Sequence, residues 1–533
     1  MSTIGFLKAP LIRIRSSAAC ALAAAKLSAA ASATIDFISV LPSLLPNYTP
    51  ILAKLQSLRS EPVQAAELDR MTAMELRSRI MRREISPVEA TRRALDKAEA
   101  TQESLNAFFL LLSDQAMAKA KQAEAAVMRG DPLGPLHGVP VSVKDLIALG
   151  GERFAFGSRA MANNVAIADA PSAERVKRAG AIVIGKTTTS EFGCKGVGDS
   201  PLTGVTRNPW NLAKTPGGSS AGAAASVAAG VTSIALGTDG GGSVRIPGCL
   251  TGLVAIKGQF GRIPVWPVSA TTTLAHVGPM TRTVEDAALL FMACAGYDER
   301  DPHSVAGEVP DLLAACKADV KDLRIAYSPT LGYARCDAEV LRVVDQAARQ
   351  FEAMGCKVDL VEKVFDRDPV DVWSAEFYAG AGTRLRPYLE KNREMLDPAV
   401  ADILEQALRQ ELRDYYGKVF ERYALRDTLR PFFERYDILL SPVLPVTALD
   451  VGKNVPDHMS DRNLVSWVYY TYPFNLTGQP AGTVCAGIAA DGMPVGLQVV
   501  SRAMGDYDVV RAMAAYERSQ TPGYNVAPML KNA

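Results

Sequence analysis

Histidine and paired cysteine are both scarce in this sequence. Its 533 residues include four histidines, far apart in the chain, and eight cysteines without a C-x-x-C motif. Zinc sites need such residues at short, regular spacings, and dithiol redox sites need the C-x-x-C pair. Scattered cysteines are typical of reduced, mostly buried thiols in a cytoplasmic protein. We therefore predict a cytoplasmic protein that binds no metal and needs no cofactor.

An excess of charge and a long apolar run are also missing. The 58 basic and 57 acidic residues leave a formal net charge of +1. A protein that binds nucleic acid concentrates basic residues on one face, and no run in this sequence provides them. A membrane-spanning helix needs about 20 consecutive, mostly apolar residues, which this sequence does not contain. The two absences argue against nucleic acid as a partner and against an integral membrane segment.

Residues 1–60 differ in composition from the rest of the chain. They carry six basic residues and one acidic residue, Asp36, among alanine-rich stretches. Leucine and isoleucine recur at helical spacing near the end of this segment. We interpret residues 1–60 as an amphipathic extension that packs on the body of the protein or on a second subunit, which leaves a homodimer open. A targeting signal or contact with a membrane surface is the alternative interpretation.

The remaining sequence has the pattern of a globular α/β protein, with 48% apolar and 22% charged residues. From 61 to about 131 the periodicity is helical, and Ser86 followed by Pro87 marks a helix start. Residues 137–145, HGVPVSVKD, alternate valine with other residues and predict a half-buried strand that ends at Lys144. Strand and helix patterns then alternate along the chain. This order favours an α/β fold with a central sheet covered by helices on both faces.

Residues 180–187, GAIVIGKT, match the P-loop pattern G-x-x-x-x-G-K-[ST]. A P-loop binds phosphate through backbone N–H groups that are free of other hydrogen bonds. Here the four central residues are apolar and mostly β-branched, which is typical of a buried strand. We therefore interpret the match as accidental. A P-loop nucleotide-binding protein is kept as an alternative.

Two stretches rich in glycine and serine carry the strongest candidates for chemistry. They are TPGGSSAGAAASVAAG, residues 215–230, and GTDGGGSVRIPG, residues 237–248. The first contains GSSAG, which fits the nucleophile elbow G-x-S-x-G of serine esterases with Ser220 at its centre. An esterase would also need a histidine and an acidic residue from elsewhere in the chain. A Ser220 esterase is therefore a further alternative.

Together with Lys144, the two stretches resemble the amidase signature family, whose hallmarks are Gly-Gly-Ser-Ser-Gly-Gly, Thr-Asp-x-Gly-Gly-Ser and an upstream lysine. Other blocks, such as EFGCKGVGDSPLTGVTRNPWN and HVGPMTRTVEDAALL, look like the same family, so the resemblance covers about residues 65–520. It implies the fold of that family, a large mixed, mostly parallel sheet with helices on both faces. It also implies a single amidase domain over 61–533. Within that domain, the mainly helical pattern that begins at 370 predicts a helical cap region at about 370–475.

The resemblance implies a catalytic triad of two serines and a lysine. In this interpretation Ser243 is the acylated nucleophile, Ser219 follows a cis peptide bond and relays the proton, and Lys144 is the base. A lysine accepts a proton only when it is neutral, and burial lowers the pKa of a lysine. The valine-rich strand that ends at Lys144 favours such burial.

Supporting roles are implied for the residues around Ser243. Gly240, Gly241 and Gly242 lack a Cβ atom and offer backbone N–H groups that suit an oxyanion hole. Asp239 and Arg245 flank these glycines, and we expect the two side chains to pair. Gly240 stands where the family often has a larger residue, which suggests a wider site near the scissile bond. Further candidates are Ser220, for a nearby hydrogen bond or a helix cap, and Gly193 and Cys194, for substrate contact.

We therefore predict an amidohydrolase that forms a seryl acyl-enzyme and acts on small, hydrophobic or aryl-type amides or related carbamates. A small-molecule amide is the expected binding partner. Another member of the family, a glutamine-hydrolysing amidotransferase subunit, is the first alternative. Aromatic residues of the cap region favour an apolar substrate pocket, with a place in the core as the equal alternative; they are Trp373, Tyr378, Trp467, Tyr469 and Tyr470.

Overall fold

The structure is a computed structural model and describes residues 65–531, so the predicted extension at 1–60 lies outside the described residues. Hydrogen bonding between strands defines one large sheet and one small hairpin. The strands are β1 (Phe108–Leu111), β2 (Pro140–Lys144), β3 (Ile182–Thr187), β4 (Asp199–Ser200), β5 (Gly204–Val205), β6 (Ile234–Asp239), β7 (Val254–Lys257), β8 (His276–Thr281), β9 (Arg324–Tyr327), β10 (Lys357–Leu360), β11 (Ile438–Pro442), β12 (Ala481–Ile488) and β13 (Pro494–Ser501).

Helices alternate with the strands along most of the chain. Helix α3 begins as the sequence predicts: Ser86 caps it by accepting a hydrogen bond from the N–H of Val88 at 2.9 Å, with Pro87 in the first turn. The helices are α1 (Ala65–Arg70), α2 (Ala73–Met81), α3 (Pro87–Leu105), α4 (Ser113–Arg129), α5 (Pro171–Arg178), α6 (Ala221–Ala228), α7 (Arg245–Leu250), α8 (Val284–Cys294), α9 (Leu312–Ala315), α10 (Ala338–Ala353), α11 (Val370–Lys391), α12 (Pro398–Ala407), α13 (Leu412–Arg435), α14 (Pro473–Leu476), α15 (Asp506–Arg518) and α16 (Pro528–Lys531).

The large sheet has eleven strands in the order β1-β3-β2-β6-β8-β7-β12-β13-β11-β9-β10. The predicted mixed α/β fold is confirmed, but a parallel majority is not: four of the ten neighbouring pairs are parallel and six are antiparallel. Parallel pairing needs a crossover such as β9-α10-β10. The middle of the sheet instead pairs β8 with both β6 and β7, and β13 follows β12 as an antiparallel neighbour, so antiparallel pairs prevail.

Strand β12 illustrates how helices cover both faces of the sheet. Its consecutive residues Gly482 and Thr483 point to opposite faces. A Cβ atom at Gly482 would overlap Sδ of Met513 in α15, whereas a Cβ at Gly248 in α7 would lie 2.8 Å from Cγ2 of Thr483. Helix α15 therefore lies on one face and α7 on the other, and glycine permits the close approach of each helix.

Strand β2 is more buried than its alternating pattern predicts. All five of its residues are buried, since β2 pairs with β3 on one side and β6 on the other. The prediction of a half-buried strand is therefore wrong, although the predicted end at Lys144 is right. Strand β1 was also missed, because it lies within the stretch 61–131 that reads as helical. Lys144 therefore lies at the end of an interior strand of the sheet and not on an edge strand.

The region 370–475, predicted as a helical cap, contains α11, α12 and α13 and also β11, which belongs to the large sheet. Helices α11 and α12 pack together around a large apolar cluster that includes Val400 and Leu404. Among residues 65–531, no helix is both long enough and apolar enough to span a bilayer. We call α11 the cap helix, because it covers the cavity described next.

Candidate active site

A cavity of about 420 Å³ lies beside the ends of β2 and β6. The cap helix forms one wall with Phe377, Ala381, Leu385 and Tyr388, which recur at a spacing of three or four residues and so share one helix face. Most of the other wall residues are apolar and come from loops. Those that matter below are Phe154, Phe156, Phe192, Trp266, Ser219, Thr238, Asp239, Gly240, Ser243, His276 and Gly193.

Lys144 ends β2 next to this cavity and is completely buried. Its Nζ atom lies 2.7 Å from Oγ of Ser219 and 2.8 Å from Oγ1 of Thr238. Burial lowers the pKa of Lys144 well below its ordinary value, and the negative charge of Asp239 offsets this only in part. The lysine is therefore suited to be a neutral amine that can accept a proton.

Ser219 reaches Lys144 from the turn that precedes α6. The peptide bond between Gly218 and Ser219 is cis, as the resemblance implies. Gly218 has to be glycine, because a Cβ atom there would overlap the backbone of Val197. The two glycine-serine stretches are joined directly by a hydrogen bond from the N–H of Ser220 to the carbonyl of Ser243 at 3.2 Å. Both Ser219 and Ser243 line the cavity.

The three glycines before Ser243 do not have equivalent N–H groups. That of Gly242 donates to Oδ1 of Asp239 at 2.7 Å, so it is already engaged, unlike the expectation that all three serve as oxyanion donors. The N–H groups of Gly240 and Gly241 meet no acceptor within residues 65–531. Gly242 also has a φ of +132°, a conformation that requires glycine. Two of the three predicted donors are thus available to a ligand.

Asp239 and Arg245 form a fully buried, bidentate ion pair with two N–O distances of 3.0 Å. Arg245 also donates to the carbonyl of Thr471 and to the side chains of Gln498 and Asn475 at 2.7 to 2.9 Å. Burial alone would raise the pKa of Asp239, but the Arg245 guanidinium reverses this and lowers it below its ordinary value. Asp239 is therefore a fixed anion that holds the glycine loop.

The remaining predicted site residues divide between the cavity and the core. Gly193 lines the cavity, and a Cβ atom there would lie 3.2 Å from Oγ of Ser219. Cys194 is buried in the apolar core behind it and does not reach the cavity. Ser220 donates to the carbonyl of Thr238 at 3.2 Å and accepts from the N–H of Thr238 at 3.3 Å. It pairs with no histidine of the described chain, which argues against the esterase alternative.

Two cavity residues were not predicted from the sequence. Thr238 precedes the motif aspartate and contacts Lys144, and His276 begins β8.

The ring of His276 donates from Nδ1 to the carbonyl of Leu274 at 2.8 Å, so Nε2 is the acceptor that faces Nζ of Lys257 at 3.4 Å. Burial and the nearby Lys257 hold the pKa of His276 well below its ordinary value. His276 is therefore neutral. No pattern around His276 marks it as part of a site, whereas Thr238 is the first residue of the Thr-Asp-x-Gly-Gly-Ser motif, although no role was assigned to it.

Of the two alternatives for the aromatic residues of the cap region, pocket lining or core, the structure supports the core. Trp373, Tyr378, Trp467, Tyr469 and Tyr470 are all buried and absent from the cavity wall within the described residues. The pocket is apolar, as predicted, but its aromatic lining comes from Phe154, Phe156, Phe192, Trp266, Phe377 and Tyr388.

The P-loop interpretation is excluded by the pairing of β3. This strand contains most of GAIVIGKT and is hydrogen-bonded to β1 on one side and β2 on the other. Its lysine, Lys186, is buried and lies 2.7 Å from Oδ1 of Asp145 and 2.7 Å from the carbonyl of Arg153. The motif is therefore structural. Among residues 65–531, no group of three or more histidines, cysteines or carboxylates is arranged to hold a metal ion.

Residues 89–510 match the protein family described as Amidase. An acylamidase of Rhodococcus erythropolis is 36% identical over 453 residues, which are 84% of this chain and 95% of that protein. A glutamyl-tRNA(Gln) amidotransferase subunit of Geobacter metallireducens is 33% identical over 484 residues, covering 85% and 98% of the two chains. The crystal structure of a bacterial aryl acylamidase, an amidase signature enzyme, is similar with a TM-score of 0.80 at 28% identity, covering 86% of this chain and 98% of that one. The chain therefore belongs to the amidase signature family and is an amide-hydrolysing enzyme.

Proposed function

We propose that this enzyme hydrolyses small, largely apolar amides, including aryl amides and related carbamates, through an acyl-enzyme on Ser243. The observation that carries the proposal is the hydrogen bond between buried Lys144 and Ser219 at the wall of an apolar cavity that Ser243 also lines. A base, a relay hydroxyl and a second hydroxyl at a substrate-sized cavity are the groups that such a reaction needs.

The proton route follows from the chemistry of a neutral amine. Ser243 attacks the amide carbonyl carbon and passes its proton to Ser219, whose own proton moves to Nζ of Lys144. When the tetrahedral intermediate collapses, the proton returns by the same path to the departing amine, and the C–N bond breaks. A water molecule then attacks the acyl-enzyme with the same assistance. The acid is released and the hydroxyl of Ser243 is restored.

The oxyanion of the intermediate is assigned to the N–H groups of Gly240 and Gly241, which are free of other acceptors in the described chain. A donor of this kind contributes roughly 3 to 4 kcal/mol to the stability of the transition state. The N–H of Gly242 instead fixes the loop to Asp239. Asp239 and Arg245 thus act on the loop and not on the substrate.

The cavity is mostly apolar and disfavours a substrate with a free ammonium group, although Arg384 of the cap helix places one cation in its wall. Within the described residues, Asp239 is the one carboxylate in its wall, and that carboxylate is already paired with Arg245. A free amino acid substrate would need an available anion for its ammonium group. The volume of about 420 Å³ suits a small ligand. Two relatives, an acylamidase and an aryl acylamidase, support the same class of substrate.

A glutamine-hydrolysing subunit of an amidotransferase is the second candidate, because the relative from Geobacter metallireducens is an amidotransferase subunit at 33% identity. Glutamine carries both an ammonium and a carboxylate group, and the cavity wall of the described chain offers the ammonium no free carboxylate. We therefore rank this function below the hydrolysis of apolar amides.

The test combines a substrate screen with labelling of the nucleophile. Purified protein is assayed with anilides, aliphatic amides, carbamates and glutamine, and is treated with a fluorophosphonate before mass spectrometry. We expect the fastest turnover with an anilide or apolar amide and the label on Ser243. The control Ser226→Ala alters a buried serine of α6 and should keep both. A label on Ser220, or turnover that survives Ser243→Ala, would contradict the mechanism, and a preference for glutamine would contradict the substrate class.

A further inference from the structure

A tryptophan of the cap helix is hydrogen-bonded to the glycine loop beside Ser243. Nε1 of Trp373 donates to the carbonyl of Gly240 at 2.9 Å, although Trp373 itself does not line the cavity wall of the described chain. The indole is fully buried and stacks on Phe377 and Tyr472, with ring centroids 4.4 Å and 5.4 Å away. The donor is therefore rigidly placed.

The cap helix also fills the space that side chains on the loop would occupy. A Cβ atom at Gly241 would lie 2.7 Å from Cζ2 of Trp373, and one at Gly240 would lie 2.9 Å from Cε2 of Phe377. Both distances are shorter than normal contacts between carbon atoms. The absence of side chains at these two glycines lets the aromatic face of the cap helix sit directly on the loop.

The hydrogen bond to the Gly240 carbonyl has a consequence for the next N–H group. The carbonyl of Gly240 and the N–H of Gly241 belong to one planar peptide unit, in which they point in opposite directions. An indole that fixes the carbonyl therefore fixes the direction of the N–H. Accepting a hydrogen bond also polarises the peptide and strengthens its N–H as a donor.

The neighbouring peptide units are held in the same way by other groups. The carbonyl of Asp239 accepts from Nδ2 of Asn475 at 3.1 Å, and the carbonyl of Gly241 accepts from the hydroxyl of Thr471 at 2.6 Å. Asn475 and Thr471 come from the segment before β12, whereas Trp373 comes from the helix that lines the cavity. Trp373 therefore provides the hydrogen bond that ties the cap helix to the loop.

We propose that Trp373 is a positioning residue that orients the Gly241 N–H as an oxyanion donor and ties this donor to the helix that walls the cavity. The proposal rests on the function proposed above, in which the Gly241 N–H holds the oxyanion. Trp373 acts through the peptide and does not contact the substrate. The interaction matters most when negative charge develops on the substrate oxygen, so its loss lowers kcat and leaves KM nearly unchanged.

The experiment compares Trp373→Phe with Trp467→Phe. Trp467 is a matched control, because it is equally buried in the same apolar cluster and its Nε1 donates to the carbonyl of Asn454 at 3.0 Å, away from the glycine loop. On an apolar anilide we expect Trp373→Phe to lower kcat about tenfold or more, since loss of a whole donor costs about 100-fold or more. Affinity for a trifluoromethyl ketone, which forms a tetrahedral oxyanion adduct, should fall in parallel. KM should change less than about threefold.

Equal kcat values for the two variants, or a change confined to KM or to thermal stability, would overturn the proposal. If Trp373→Phe does not fold, β-(3-benzothienyl)alanine at position 373 keeps the ring shape and removes only the N–H donor. For that variant too, a kcat equal to that of Trp467→Phe, or a change confined to KM or thermal stability, would overturn the proposal. The Ser243→Ala variant distinguishes failure of the proposed mechanism from failure of the positioning role. Turnover by that variant refutes the proposed mechanism itself, whereas an inactive Ser243→Ala with an unimpaired Trp373→Phe refutes the positioning role alone.

Discussion

The hydroxyl of Thr238 lies 2.8 Å from Nζ of Lys144, and the carbonyl of the same threonine lies 3.4 Å from that nitrogen. A neutral amine has two N–H donors and one lone pair. The two oxygens of Thr238 can accept both N–H groups, which leaves the lone pair for the hydroxyl of Ser219 at 2.7 Å. Thr238 therefore sets the direction in which Lys144 accepts a proton.

Replacing Thr238 with valine should show this orientation directly. Valine keeps the shape of the side chain and removes one acceptor, so the amine can turn away from Ser219. We expect Thr238→Val to lower kcat/KM about tenfold or more, because small errors in the placement of reacting groups are costly. Thr238→Ser keeps the hydroxyl and should stay within a few-fold of the wild type. Steady-state kinetics on one anilide measures both, and equal values for the two variants would show that the hydroxyl has no such role.

The depressed pKa of Lys144 predicts how stability changes with pH. An unfolded lysine has a pKa of about 10.4, and the folded value is lower, so below about pH 10 folding must release a proton. The free energy of unfolding therefore falls by about 1.4 kcal/mol for each pH unit below the unfolded pKa, until the folded pKa is reached. Lys144→Met removes this pH-dependent penalty and should abolish turnover. The wild type should therefore gain stability relative to Lys144→Met as pH rises from 7 to 9, and urea unfolding at several pH values checks the sign. A constant difference would mean that Lys144 is protonated in the fold.

The positions of Lys144, Ser219 and Ser243 could be singled out from the sequence, because motif and spacing both mark them. Strands such as β2 and β13 were also predictable from their apolar runs. The partners of those strands were not, since pairing between distant segments leaves no local pattern. The same limit applies to the cavity. Its aromatic residues come from loops such as 153–156 and from one face of the cap helix, and only the folded chain brings them together.

Breaking the buried ion pair between Asp239 and Arg245 should lower the free energy of unfolding and abolish turnover. Both side chains are fully buried, and removing one partner of such a pair typically destabilises a protein by about 3 to 5 kcal/mol. We expect Arg245→Met to lose stability of this order and to lose turnover, because the glycine loop depends on Asp239. The control is Arg335→Met, which breaks an exposed pair with Asp461 at 2.8 Å and should change stability little. Similar urea midpoints for the two variants would contradict the structure.

Lys186 supports the cavity from behind rather than binding a nucleotide. It pairs with Asp145, whose carboxylate also accepts from the N–H groups of Ala155 and Gly157. These bonds hold the loop that presents Phe154 and Phe156 to the cavity. We expect Lys186→Met to reduce thermal stability and to raise KM for an anilide more than it lowers kcat. ATP with Mg²⁺ should leave the melting temperature of the wild type unchanged. A nucleotide-dependent shift that Lys186→Met abolishes would restore the P-loop interpretation.

Gly240 does not widen the site as the sequence suggests, because the cap helix takes the space of the missing side chain. A Cβ atom at Gly240 would lie 2.9 Å from Cε2 of Phe377, and Phe377 itself lines the cavity. The two positions therefore share one volume. Phe377 therefore limits the room beside Gly240.

This shared volume predicts a rescue. Gly240→Ala should lower kcat/KM because the new methyl group pushes the loop or Phe377 aside, and Gly240→Ala with Phe377→Leu should recover part of the loss, since leucine is shorter than phenylalanine. Phe377→Leu alone should improve relative activity on bulkier anilides by enlarging the cavity. The control Gly417→Ala adds a methyl group where nothing lies within 4 Å, on the exposed helix α13; it should leave kinetics unchanged and stabilise the fold by roughly 0.5 to 1 kcal/mol. Additive losses in the double variant would show that residues 240 and 377 do not compete for the same space.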